Sequence, residues 1–302
     1  MSLIALGTVA IDNIKTSDGE KRGLLGGSAS HFSMSARFFT KVFLSGIIGS
    51  DFPEKYKQLF RQKKIDTTAI VVKPGKTFEW DGEYKKENYN SAITLKTELG
   101  VITEYKPKLT KEQKNIAHVF LANLDPGSQL AFLNEMNSPK LIGLDSMNLW
   151  ITNNRPELLK LIRKAHIYFV NDGEARLLTD EHNLLKAAKV LKALGPKIII
   201  LKKGEHGVIV FGDNCQFAFP AYPVEHVVDP TGAGDTFAGG VMGYLSKAGR
   251  VNEKTLRQAV LYATTIASFN VEGFGLANTS ALTAHQVEGR LKQLINFIDP
   301  KK

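Results

Sequence analysis

The residues best suited to chemistry stand together in the run Asp229-Pro230-Thr231-Gly232-Ala233-Gly234-Asp235-Thr236-Phe237. Beyond it Phe237, Val241, Tyr244 and Leu245 recur at helical spacing, and Gly249 follows the expected helix end. A turn of small residues therefore opens directly into a helix. Such a turn lets backbone approach a ligand, and the free N–H groups at a helix start attract anions. That arrangement suits the negative charge that develops during phosphoryl transfer. Asp235 sits at the same helix start, where a carboxylate can accept the proton of an attacking hydroxyl. A glycine turn capped by an aspartate is common in helices of no special function. The flanking residues must therefore decide between the two.

They favour chemistry. The run Asp229–Met242 resembles, position for position, the second signature of the ribokinase-like (PfkB) carbohydrate kinases. Other landmarks of that family follow in order through nearly the whole chain. The resemblance implies Asp235 as the catalytic base, with Gly232, Ala233 and Gly234 as the anion hole. It places Asp12 as the aspartate that binds sugar hydroxyls, and Gly26-Gly27 as the diglycine that begins the next helix. Gly49 and Asp51 fall in a G-x-D arrangement. Asn171 and Glu174 match an N-x-x-E motif associated with magnesium and phosphate handling, through water. Gly204 and Gly207 form a G-x-x-G turn near the nucleotide, where Lys202 and Asn270 are also expected. ATP is implied as phosphoryl donor, with Mg2+ and a monovalent cation as candidate companions.

On the residues alone, blander readings stay open. Asp12 could be a turn or capping residue. Asn171 and Glu174 could form a capping box. Gly204 and Gly207 could serve any strand-end turn. Two positions depart from the family pattern. His31 stands where an asparagine usually helps hold substrate, and Phe39 where a glycine is common. A histidine ring nitrogen can donate or accept, so His31 remains a candidate substrate contact beside a core or capping role. These departures loosen the substrate, not the phosphoryl transfer.

The elements that must position these residues alternate between strand and helix, which predicts a doubly wound, mostly parallel α/β sheet. Leu3–Val9, Val42–Ile48, Val119–Leu121, Leu141–Leu144, Ile167–Val170 and Lys197–Leu201 read as buried strands. Gly27–Phe39, Phe52–Lys63, Pro156–Arg163 and Leu184–Leu194 read as helices, and Val208–Phe211 with Gln216–Phe219 as an edge hairpin. Ile14–Leu25 is polar around a Ser17-Asp18-Gly19 turn, and Thr77–Ile102 alternates aromatic and β-branched residues. Both are expected to form a small β lid, residues 14–25 and 77–102, over a large domain of residues 1–13, 26–76 and 103–302. Phe78 and Trp80 share one face of a lid strand. They could stack on a nucleobase, or form an apolar surface for a homodimer through the lid.

Composition excludes more than it selects. The single cysteine, Cys215, permits no intramolecular disulfide and reads as inert. The apolar start MSLIALGTVAID lacks preceding basic residues and is not read as a signal peptide, so a cytoplasmic location is expected. The net charge of +9 comes from scattered lysines without basic–aromatic interleaving, which argues against a nucleic-acid partner. No P-loop, dinucleotide fingerprint, H-E-x-x-H or paired C-x-x-C occurs. The expected partner is a small-molecule sugar or nucleoside, and no membrane. A sugar kinase is the first reading. A nucleoside kinase of the same fold, or a silent binding protein that kept the fold, stands behind it.

Overall fold

The computed structural model describes residues 1–299. The chain runs through β1 (Ser2–Leu6), β2 (Ala10–Thr16), β3 (Gly19–Gly26), β4 (Lys41–Gly49), β5 (Asp66–Lys73), β6 (Glu79–Lys85) and β7 (Asn88–Glu98). It continues through β8 (His118–Leu121), β9 (Leu141–Asp145), β10 (Ile167–Asn171), β11 (Ile198–Lys202), β12 (Val208–Phe211) and β13 (Gln216–Phe219). A nine-stranded sheet has the order β13-β12-β11-β10-β9-β8-β1-β4-β5. It is parallel from β11 to β5, and the β12–β13 hairpin turns back at its edge.

Side-chain alternation along each central strand explains the unbroken apolar runs. Leu3 and Ala5 pack with residues of helices Ser28–Ala36, Ala233–Ala248 and Glu253–Asn270. Ile4 and Leu6 pack on the other face against helices Pro126–Asn134, Arg155–Lys164 and Leu184–Ala193. A strand buried on both faces has no polar side to show, as parallel sheets require. Phe32 stacks on Phe120 at 4.1 Å between ring centroids, and so fixes the first helix to the sheet centre.

The second sheet has the order β3-β2-β6-β7. β2–β3 and β6–β7 are antiparallel hairpins, and β2 pairs with β6 in parallel. The expected first strand, Leu3–Val9, is divided. β1 ends at Leu6, and β2 starts the small sheet at Ala10. Gly7 marks the exit because a side chain there would meet Ser28 Oγ at 2.6 Å and Ala122 Cβ at 2.7 Å. Asp12 consequently rides on the small sheet, opposite Leu24 of β3 and Trp80 of β6. The G-x-D pair ties the large sheet to the segment entering β6. Asp51 Oδ1 accepts from Thr77 N at 2.8 Å and Thr77 Oγ1 at 2.7 Å, and Gly49 N donates to Thr77 Oγ1 at 3.0 Å. Phe39 does not need to be glycine. It fills a satellite core edge-on to Tyr244 and Tyr262, at 5.6 and 5.3 Å. Among the described residues, no helix is long and apolar enough to cross a membrane.

Candidate active site

A cavity of about 570 Å³ opens where the carboxyl ends of the central strands meet the small sheet. Ligands of open α/β sheets bind at that end. Asp12, His31, Thr231, Gly232 and Asp235 line it, together with Phe78, Trp80, Met147 and Trp150.

The helix Ala233–Ala248 starts at this cavity. Its cap Gly232 has φ 72°, a left-handed conformation that costs glycine little, and a side chain there would strike the His31 ring at 2.3 Å. The preceding turn is anchored by Asp229, wholly buried, whose two carboxylate oxygens accept from Thr231 N and Gly275 N at 2.8 Å each. Ala233 N–H is committed to Pro230 O at 3.1 Å. Of the three residues expected to form an anion hole, Ala233 thus has its N–H engaged within the turn. Small residues further along the helix let it approach its neighbours. A side chain at Gly239 would meet Phe32 O at 2.2 Å, and one at Gly240 would meet the Ala263 Cα at 2.6 Å.

Asp235 lies in the first turn and is partly open to the cavity. Burial pushes its carboxyl up to about 7, with a further push from Asp145 and a countering pull from Lys202. Lys202, at the end of β11, reaches Asp145, at the end of β9, with 2.5 Å between Nζ and Oδ2. Its Nζ also lies 3.2 Å from where a Gly234 side chain would begin, so the cation sits against the anion-binding turn. Burial opposes that charge, but Asp145, Glu174 and Asp235 outweigh it and raise the Lys202 pKa, so the ammonium stays protonated.

Asp12 is 4% exposed. Burial, with Asp229 and Asp235 nearby, lifts its carboxyl to about 7 despite a hydrogen bond from Gly27 N–H. The diglycine is what makes room for it. A side chain at Gly26 would overlap the Asp12 carboxylate at 1.8 Å, and one at Gly27 would strike Thr8 O at 2.4 Å. Tyr84 of β6 brings its phenol to the same place, beside Thr231, Asp229 and Asp12, and burial raises its pKa. His31 is buried, and its Nδ1 lies 3.1 Å from Asn270 Oδ1. The Asn270 amide is oriented by its own bond to Thr231 O at 2.8 Å and by Thr236 Oγ1, which donates to Oδ1 at 3.0 Å. His31 therefore carries its proton on Nδ1, and Nε2, itself buried, has no hydrogen-bond partner among the described residues. Burial drives the ring down to about 4, so it is neutral at physiological pH.

Asn171 and Glu174 do form a capping box, with Glu174 N to Asn171 Oδ1 at 2.8 Å and Asn171 N to Glu174 Oε2 at 3.0 Å. Burial also raises Glu174 to about 7, with Asp145 and Asp235 adding to the push and Lys202 opposing it. Asp145, Glu174 and Asp235 thus lie around one ammonium, that of Lys202. Among the described residues, no three acidic, histidine or cysteine side chains converge as a ready metal cage. Glu174 and Asn171 fit a metal carried mainly by water and phosphate oxygens rather than by protein.

The pfkB family carbohydrate kinase model matches residues 8–283. The chain belongs to the pfkB family of carbohydrate kinases. A cytidine kinase of Thermococcus kodakarensis is 31% identical over 264 residues, covering 85% of this chain and 92% of that protein. A nucleoside kinase of Methanothermobacter thermautotrophicus is 26% identical, with 90% of each chain covered. The nucleoside kinase of Burkholderia thailandensis, solved with inosine, superposes with a TM-score of 0.78 at 20% identity over 98% of this chain.

Within this pfkB kinase, Asp12, His31, Gly232 and Asp235 meet in one cavity, and Lys202 and Glu174 stand beside Asp235. At Gly207 a side chain would collide with Phe219 O at 2.1 Å. Gly204 is approached by Asn90 of the small sheet, whose Oδ1 lies 2.0 Å from where a side chain would begin. Asn270, expected at the nucleotide, is instead fully buried and spends its amide on His31, Thr231 and Thr236. Asp145 escaped the sequence reading. Its only signal was a carboxylate ending the otherwise apolar strand Leu141–Asp145.

Proposed function

We propose that this kinase transfers the γ-phosphate of ATP to a ribose hydroxyl of a nucleoside. The observation that carries this reading is the two-sided cavity. Asp12 and Asp235 present hydrogen-bond acceptors to hydroxyl groups, while Phe78, Trp80, Leu99, Met147 and Trp150 present apolar and aromatic surface. A free ribose is too small to cover all of that surface, whereas a nucleoside reaches it with a base that stacks. The relatives named for cytidine and nucleoside kinases support the same choice.

Asp235 takes the proton of the attacking hydroxyl, and its raised pKa suits a base near neutrality. The Gly232 and Gly234 amides, with the Lys202 ammonium, face the charge on the transferring phosphoryl group. Asp12 accepts from sugar hydroxyls, and His31, a lining residue, borders them. Mg2+, held near Glu174 and Asn171 through water, would neutralise nucleotide phosphates when bound. Gly204 and the β11–β12 turn would border the nucleotide. The small sheet covers the cavity and limits water.

The protein's two tryptophans, Trp80 and Trp150, both line the cavity. A nucleoside should therefore change tryptophan fluorescence saturably, and free ribose should leave it nearly unchanged. A response to ribose equal to that of every nucleoside tried would move the substrate back to a simple sugar.

A further inference from the structure

Two polar side chains of the cavity lining have no part in phosphoryl transfer. Asn123 and Asp125 stand on the loop that leaves β8, between the strand end at Leu121 and the helix Pro126–Asn134. Asp125 caps that helix, accepting from Ser128 N at 2.9 Å through Oδ2, and its Oδ1 accepts from Asn154 Nδ2 at 3.3 Å. Neither partner carries a charge, and a carboxylate offers about four acceptor positions. Acceptor capacity is left over, and it borders the cavity.

Asn123 is oriented by Trp150, whose Nε1–H donates to Asn123 Oδ1 at 2.8 Å. The amide nitrogen therefore carries the free edge. One of its hydrogens is directed at Met147 Sδ at 3.1 Å, a weak acceptor, and the other has no partner among the described residues. A donor at Asn123 and an acceptor-only group at Asp125 thus sit two residues apart, amid Met147, Leu149 and Trp150.

We propose that this pair reads the polar edge of the base, and that the substrate is a nucleoside whose base carries an exocyclic amine beside a ring acceptor. The 4-aminopyrimidine edge shared by cytosine and adenine has that pattern. The inference rests on the nucleoside reading and adds the base class to it. In an oxo base, a carbonyl replaces the amine and meets the carboxylate acceptor to acceptor. The imide N–H of uracil does not repair this, because it is flanked on both sides by carbonyls that crowd the same carboxylate. Polar groups left unpaired in a site built for a donor discriminate strongly.

The test is kcat/KM of the full-length enzyme with ATP on cytidine, uridine, adenosine, inosine and the pyrimidin-2-one riboside that lacks the 4-amino group. Asp125→Asn is measured beside it, since asparagine caps helices as well as aspartate and adds a donor for a carbonyl. Cytidine should exceed uridine by on the order of 10²-fold, and adenosine against inosine, whose N1–H has a carbonyl on one side only, should show a smaller ratio in the same direction. The amine-less riboside should fall with uridine. Asp125→Asn should narrow the amino-to-oxo ratio about tenfold or more, a ratio that does not depend on the fraction of enzyme folded. If the variant does not fold, the wild-type analogue series decides. Equal use of amino and oxo nucleosides, or an unchanged ratio in Asp125→Asn, overturns the base-edge reading and leaves the nucleoside kinase intact. Turnover of free ribose with no turnover of any nucleoside overturns both.

Discussion

Asp235→Asn is expected to slow turnover on the order of 10²- to 10⁴-fold while nucleotide binding stays close to normal. The amide keeps the shape of the carboxylate and loses its basicity. The same substitution should stabilise the fold at pH 8. Burial raises the Asp235 carboxyl from 3.8 to about 7, so the native state holds a proton that the unfolded chain has released. Stability therefore falls as pH climbs from about 4 to about 7, and above that the full cost of a desolvated charge is present. Removing the ionisable group removes that cost. The melting temperature of the variant should exceed that of the wild type at pH 8 by on the order of a few degrees, and the gap should close near pH 4. Near-normal turnover would remove Asp235 from the role of base. Lost turnover together with a lower melting temperature at pH 8 would make it a structural residue.

Asp12→Ala carries the second large effect. The carboxylate is buried against Gly26 and Gly27, and hydrogen bonds to a charged acceptor are worth roughly 1.5–3 kcal/mol each. With two hydroxyls in play, kcat/KM for the acceptor should fall at least on the order of 10- to 100-fold. ATP affinity should barely move, because Asp12 belongs to the small sheet and the nucleotide is expected at the β11–β12 end. Calorimetry on the variant separates the two ligands. Unchanged acceptor binding would contradict this placement, and so would equal weakening of both ligands.

The fold was legible wherever burial on both faces writes a continuous apolar run, as at Leu3–Leu6, Ile167–Val170 and Ile198–Leu201. β5 was not, because its half-exposed edge position leaves Asp66, Thr67 and Thr68 at its start. The strands of the small sheet could be seen in their alternation and turn residues. Their parallel pairing, Ile11 with Glu79 through Lys15 with Glu83, joins residues nearly seventy positions apart and leaves no local trace. The same limit applied to the site. Asp235 announces itself through the glycines around it. Asp145 matters only because Lys202 arrives from another strand, and Asn270 is drawn from the nucleotide into the core by three partners far away in sequence. The diglycine acquires its reason only in three dimensions, as the space into which Asp12 folds.

The central claim is that the cavity takes a nucleoside and that its ribose receives the phosphate. The most direct measurement is kcat/KM with ATP and Mg2+ for cytidine, adenosine and free ribose on one enzyme preparation, with the phosphorylated position read by NMR. The account predicts that a nucleoside exceeds ribose by on the order of 10²-fold or more, because stacking on Phe78, Trp80 and Trp150 holds the hydroxyl at Asp235. It also predicts phosphate on a ribose hydroxyl. Ribose used as well as or better than every nucleoside would contradict it, as would phosphate transferred to the base.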